Sequence, residues 1–243
     1  LNHWLEALGS LDRGDKLMDT LSRMGVLALA YGLGSIPFGF LLVKLTHGID
    51  VREVASGRTG GTNTMRAAGF GLGFITSLLD ILKSAIAVWI ARYLFPTSFW
   101  FHVLVGLMAV IGHNYSVFLI KIGNEGKVEI GGGAGGTPAV GSLVGLWWPS
   151  ILILVPAGYL IVMVIGYASL ATMSLPLIGS LILLIRFLYF DQPWEYVFSG
   201  LLAEIIIIWA LRPNIQRLLN GTERVVGFRA KKAQKKAPDP KKD

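Results

Sequence analysis

Long apolar runs alternate with short polar islands along this chain. The runs occupy residues 25–45, 71–95, 100–120, 139–165, 168–190 and 195–211, and several reach the ~20 residues a helix needs to cross hydrocarbon. The run at 139–165 carries Trp147, Trp148 and Pro149 in its middle and Pro156 beyond them, so it reads as two pieces. With 139–148 taken as a short or re-entrant pass, the expected fold is all-α, a polytopic membrane helical bundle of about seven transmembrane segments. Lys and Arg recur in the connections at 46–66 and 121–127 and in the tail, which assigns all three to the cytoplasmic side. The C-terminus then lies in the cytoplasm and the N-terminus outside.

Outside the apolar region, residues 1–24 set Trp4, Leu5, Leu8, Leu11, Leu17, Leu21 and Met24 among charged residues. This fits either an amphipathic interface helix or a poorly ordered leader. The transmembrane region is expected over 25–211, a final cytoplasmic segment over 212–228 and a disordered basic tail over 229–243. Ten Lys or Arg lie from Arg212 onward, against a net charge of +7 for the whole chain. Such a tail suits anionic headgroups better than nucleic acid.

Composition agrees with the pattern: 53% of residues are hydrophobic, 15% are charged, and mean hydropathy is +0.60. Cys is absent, which excludes a thiolate nucleophile and Cys-based metal sites, and the four scattered His argue against any metal. No cofactor is expected.

Two polar islands carry the candidate chemistry. In the first, Ser56 to Arg66, Gly57, Gly60 and Gly61 permit close backbone approach, Ser56, Thr59, Thr62 and Asn63 offer hydrogen bonds, and Arg58 and Arg66 supply guanidinium donors. A bound phosphate or carboxylate suits this loop, and so does plain solvation of a turn-rich segment. The second island, Lys121 to Pro138, contains Gly131, Gly132, Gly133, Gly135 and Gly136 just before an apolar helix. Backbone amides at a helix N-terminus favour anions, although no Gly-Lys-Ser or Gly-Lys-Thr follows to make a nucleotide loop.

In order along the chain, Gly34-Ser35-Ile36-Pro37-Phe38-Gly39, Gly48-Ile49-Asp50-Val51-Arg52-Glu53-Val54, Ser56-Gly57 and Gly60 to Arg66 closely resemble the first motif region of the bacterial acyl-phosphate:glycerol-3-phosphate acyltransferases, the PlsY family. The likeness continues through Leu79 to Lys83, Gly112-His113, Tyr167 to Ala171 and Asn214 to Glu223, and covers residues 25–228. It implies seven spans, an external N-terminus, cytoplasmic motif regions in a bacterial inner (plasma) membrane, and acyl transfer from acyl phosphate to glycerol 3-phosphate, giving lysophosphatidate. By position it implies catalytic roles for Ser56, Arg66, Asn63 and Asn214. Phosphate binding falls to Arg58, Thr62, Gly131, Gly132, Gly133 and Thr137, and further candidates are Asp80, Lys83, His113 and Glu223.

The departures from the family pattern are specific. Where its second motif has lysine, the best alignment places Gly132 or Gly133, and Lys127 or Lys121 on the longer loop is the substitute. Where its third motif has histidine, three residues before Asn214, this chain has Leu211, and an asparagine of the first motif is Arg58. No His stands five residues before an Asp, so the His-x4-Asp pair of thioester-dependent acyltransferases is missing. A catalytically silent paralogue that binds lipid is the alternative these departures leave, and a small transporter is a third reading without an internal repeat to support it.

Overall fold

Proline and glycine decide where the apolar runs bend. The structure is a computed structural model that describes residues 16–122 and 126–230, together with the helical course of 2–15. Helices α1 (Asn2–Ser35) and α2 (Phe38–His47) divide the first apolar run at Pro37, which lacks an N–H and cannot continue the helix. Carbonyls stranded at this break are satisfied by other elements: Ser116 Oγ donates to Ser35 at 2.5 Å, and Lys83 Nζ donates to Ile36 at 2.8 Å. Backbone groups shielded from water need such partners.

Helix α3 (Gly61–Leu94) is broken at Gly69, whose φ of +87° is open to glycine and strained for other residues. Residues 61–68 fold back on the turns that follow, so closely that a Cβ on Gly73 would sit 2.8 Å from the Gly61 carbonyl. The spanning part therefore starts near residue 70, where the apolar run begins. Helix α4 (Phe99–Asn114) leads to a small antiparallel hairpin of β1 (Ile120–Ile122) and β2 (Val128–Ile130), with Ile120 opposite Ile130. Then come α5 (Gly136–Leu146), α6 (Ile151–Leu160) prolonged in wide turns to Ile165, α7 (Ala168–Phe190) and α8 (Val197–Leu219).

Among the described residues, six helical stretches are long and apolar enough to cross a membrane: Lys16–His47, Gly61–Leu94, Phe99–Leu119, Trp148–Ile165, Ala168–Phe190 and Trp194–Leu219. The protein is an integral membrane helical bundle. Helix α5 is apolar but rises only about 16 Å at 1.5 Å per residue. Every residue from Pro138 to Leu146 is buried. Small residues allow this: Gly141 lies against the Ile81 carbonyl, Gly145 against Val88, and Ser142 Oγ donates to the Gly106 carbonyl at 3.0 Å. Around α5 the core gathers Ile81, Val88, Val103, Leu154 and Leu183.

The bundle has two distinct ends. At one, Arg23 bonds Ser98 at 3.1 Å, and Arg92 Nη1 donates to the Gly145 and Leu146 carbonyls at 2.8 and 3.1 Å, capping α5. At the other, the segments before α3, between α4 and α5, before α7 and after α8 are stitched together, with Thr59 N–H on the Gly132 carbonyl and Val226 N–H on that of Gly166.

Two boundaries differ from expectation. Residues 16–24 continue α1 rather than forming a separate interface helix, and the side chains of 1–15 lie outside the described residues. Helix α8 runs past 211 to Leu219, because Pro213 is accommodated inside it. The three-residue strands of the hairpin leave the chain all-α in class, as expected. Of the basic tail, 231–243 lies outside the described residues.

Candidate active site

The first polar island is folded by its own side chains. Asp50 caps the turn at 51–53, accepting from Arg52 N–H at 2.9 Å and from Arg52 Nη2 at 2.7 Å, and this pairing holds the Asp50 carboxyl below its ordinary range. Asn63 is the hub. Its Nδ2 donates to the carbonyls of Val51, Val54 and Arg58 at 2.8 to 3.0 Å, and its Oδ1 accepts from Ser56 N–H at 3.1 Å. With both ends of its amide engaged, Asn63 positions the loop and has little left for a substrate. Ser56, held by its N–H bond to Asn63, lines the cavity.

The second island is tied to α4. Gly133 N–H bonds the His113 carbonyl at 2.9 Å, and Gly131 N–H bonds that of Leu119 at 3.3 Å. These amides are committed, and Gly131, Gly132 and Gly133 do not line the cavity, which corrects the expectation of an anion cradle there. A Cβ on Gly133 would collide with the His113 ring, and one on Gly132 with backbone at His113 and Asn114. Neither position accepts the lysine that alignment assigned to it. The loop residue that faces the cavity is Ala134. The cavity is lined further on by Gly135, Gly136 and Thr137, where α5 begins, and also by Gly60, Gly61 and Thr62 at the start of α3. Two helix N-termini thus face one space, an arrangement that favours an anion.

That space is a cavity of about 110 Å³. Arg58, Arg66 and Arg224 line it, with Glu223 the single carboxylate among the described residues. Arg58 donates to the Gly133 carbonyl at 3.0 Å and the Ala210 carbonyl at 2.5 Å, so one guanidinium joins the second island to α8. Burial, and then the charge of Arg217, lower its pKa from the ordinary arginine value. Glu223 accepts from Asn214 Nδ2 and Arg217 Nε, both at 2.9 Å, and folds the segment after α8 back over the site.

Behind the cavity lies a buried polar cluster. Lys83 Nζ is 2.7 Å from Asp80 Oδ1 and 3.1 Å from His113 Nδ1, with these side chains 1 to 4% exposed. Asp80 and Lys83 do not reach the cavity; His113 does. Lys83 Nζ and Asp80 Oδ1 both face His113 Nδ1, at 3.1 and 3.5 Å. Lys127 is exposed on the hairpin and Lys121 on its first strand, and neither lines the cavity, so the suggested substitution of the missing lysine from this loop is not realised.

The family profile described as glycerol-3-phosphate acyltransferase matches residues 24–221. The chain belongs to the glycerol-3-phosphate acyltransferase family. A glycerol-3-phosphate acyltransferase of Thermus thermophilus is 38% identical over 204 residues, 84% of this chain and 95% of the relative, and one of Gloeobacter violaceus is 33% identical over 211 residues, again 84% of this chain and 95% of the relative. Among solved structures, PlsY (YgiH), described as an integral membrane glycerol 3-phosphate acyltransferase in its glycerol 3-phosphate form, superposes with a TM-score of 0.72 at 32% identity. That alignment covers 86% of this chain and 98% of the other, and the lysophosphatidic acid form gives 0.70. Nothing in these likenesses favours a silent paralogue.

Within this acyltransferase family member, the structure brings Ser56, Arg58, Thr62, Asn63, Arg66, His113, Thr137, Asn214 and Glu223 to one cavity. Leu211, at the family's histidine position, also lines it, buried and apolar. Sequence reasoning passed over Arg224, Ser169, Thr172 and Ser77, which complete the wall. Arg224 directly follows Glu223, and Ser169 sits in the Tyr167–Ala171 stretch that matched the family, so a signal existed for both. Ser77 reaches the site only through the reversal at Gly69.

Proposed function

We propose that this protein transfers a fatty acyl group from acyl phosphate to the sn-1 hydroxyl of glycerol 3-phosphate, forming lysophosphatidate. The observation that carries the reading is the convergence of Ser56, three arginines and two helix N-termini on one cavity. The neighbour in its glycerol 3-phosphate form supports the acceptor. An acyl phosphate is already a mixed anhydride, so catalysis needs alignment and charge stabilisation more than a strong base. The acceptor oxygen bonds to the acyl carbon, the bond from that carbon to the phosphate oxygen breaks, and phosphate departs with the electron pair. The hydroxyl proton passes to a phosphate oxygen. Arg66 and Arg224 hold one phosphate, Arg58 faces the other, and Ser56 orients the reacting groups.

The cavity end carries Arg52, Lys121, Arg217, Arg224 and Arg229, and this bias supports seven crossings, counting α5, with the cavity on the cytoplasmic side of a bacterial plasma membrane. The basic tail would rest on anionic headgroups, at about 1 kcal/mol per cation near the surface. The test is transfer from palmitoyl phosphate to radiolabelled glycerol 3-phosphate by the purified protein in lipid. The intact protein is expected to turn over with acyl thioesters inert, and Arg66→Ala and Ser56→Ala to lose about a hundredfold or more in kcat/KM. An intact, folded protein without activity would return the assignment to a silent paralogue.

A further inference from the structure

The hairpin that follows α4 lines no part of the cavity, and its two faces differ in kind. Its register pairs Ile120 with Ile130, Lys121 with Glu129 and Ile122 with Val128. Strand residues alternate between faces, and cross-strand partners share one. One face therefore carries Ile120, Ile122, Val128 and Ile130, while the other carries the opposite charges of Lys121 and Glu129. The four aliphatic side chains are 48 to 81% exposed, and Phe118, just before β1, is 63% exposed. No side chain among the described residues buries this face.

In water such a hairpin is marginal, because two short strands hold together only when an apolar face is packed on something. A contiguous apolar patch at a surface marks a contact with protein or with membrane. Position favours the membrane. The apolar stretch long enough to cross the bilayer runs from Phe99 to Leu119, and β1 starts at the next residue, Ile120. A strand of three residues extends only about 10 Å. The headgroup layer is about 5–8 Å deep on each side of the hydrocarbon, so the hairpin stays close to the bilayer surface. Its charges balance, Lys121 and Lys127 against Glu125 and Glu129, which leaves apolar contact as the force that seats it.

The root of the hairpin is joined to the second island. Ser116 N–H bonds the Gly131 carbonyl at 3.0 Å, Gly131 N–H bonds that of Leu119 at 3.3 Å, and Thr59 N–H bonds that of Gly132 at 3.2 Å. A hairpin resting on lipid therefore also steadies the loop that brings Ala134 to the cavity.

We infer that the β1–β2 hairpin is an interfacial anchor, with the face of Ile120, Ile122, Val128 and Ile130 seated among the headgroups and upper acyl chains of the membrane that the bundle spans. Its partner is the lipid surface. The inference is independent of the reaction assigned to the cavity.

The experiment uses the full chain in phosphatidylcholine nanodiscs, one copy to a disc, with a nitroxide on single cysteines at Lys121→Cys, Ile122→Cys, Val128→Cys and Glu129→Cys. Oxygen concentrates in hydrocarbon and a nickel chelate stays in water. Nitroxides at 122 and 128 are expected to relax more with oxygen, and those at 121 and 129 more with nickel. Ile120→Cys and Ile130→Cys repeat the test nearer the root. Nickel dominating at every position overturns the anchor, since the apolar face then lies in water. So does poor access of both reagents at 122 and 128, because protein would then cover the face. The same alternation is expected when phosphatidylglycerol is added; an alternation that appears only with phosphatidylglycerol would overturn seating by apolar contact.

Discussion

Whether a side chain at the cavity acts on substrate or on the protein is decided by how much of its hydrogen-bonding capacity the fold already uses. Asn63 was legible in the sequence as part of an acyltransferase motif, but not as the knot that ties Val51, Val54, Ser56 and Arg58 together. Asn63→Ala should strand several loop groups and cost about 2–4 kcal/mol, lowering the thermal unfolding midpoint in detergent together with activity. Arg66→Ala, by contrast, should leave that midpoint nearly unchanged. The glycine loop shows the limit of reading residue types alone. Its composition announced a tight turn, but only the approach of His113 shows that Gly133 is a packing glycine and that Ala134 is the position facing the cavity. Returning a lysine therefore has two outcomes: Ala134→Lys is expected to fold and bind glycerol 3-phosphate at least as tightly, whereas Gly133→Lys should lose about 3 kcal/mol or more and express poorly. Thermal unfolding and binding of the two variants side by side check this.

Helices in this protein are interrupted where function needs backbone, and other elements then serve the freed groups. The apolar runs revealed where the helices lie, since run length and membrane thickness are the same constraint. They did not reveal that Pro37 and Gly69 divide α1 from α2 and fold α3 back on itself, because which way a break turns depends on the partner it packs against. Lys83 is such a partner. It neutralises Asp80 and caps the Ile36 carbonyl while contacting His113, so it supports a helix break and a cavity wall at once. Lys83→Met leaves a buried carboxylate uncompensated and should destabilise the protein by about 3–5 kcal/mol. The double change Asp80→Leu with Lys83→Met should recover part of that loss but not all, as Ile36 remains uncapped. Unfolding midpoints of the single and double variants would show whether the pair or the cap carries more of the stability.

At the scale of the whole molecule, the cavity, the basic loops and the end of α8 share one face of the bundle, and Arg23, Ser98 and the end of α5 share the other. Because the chain has no Cys, single cysteines report sidedness directly. With an impermeant maleimide, Lys121→Cys and Leu219→Cys are expected to label only in inverted vesicles, and Thr97→Cys only in right-side-out ones; labelling of all three from one side would refute seven crossings. The buried position of α5 also bears on how the protein is made. Its 11 residues are fewer than the roughly 17 to 25 that the insertion machinery can release into lipid as an independent span. Helix α5 is therefore expected to enter as a hairpin with α6, since its flanks at Leu143 and Gly136 are met by Gly179 and Thr172 of α7, which is synthesised later. The cavity wall at the start of α5 is thus expected among the last parts to be assembled, and a nascent chain stopped before Gly179 would hold every residue of the first motif and still lack the complete cavity.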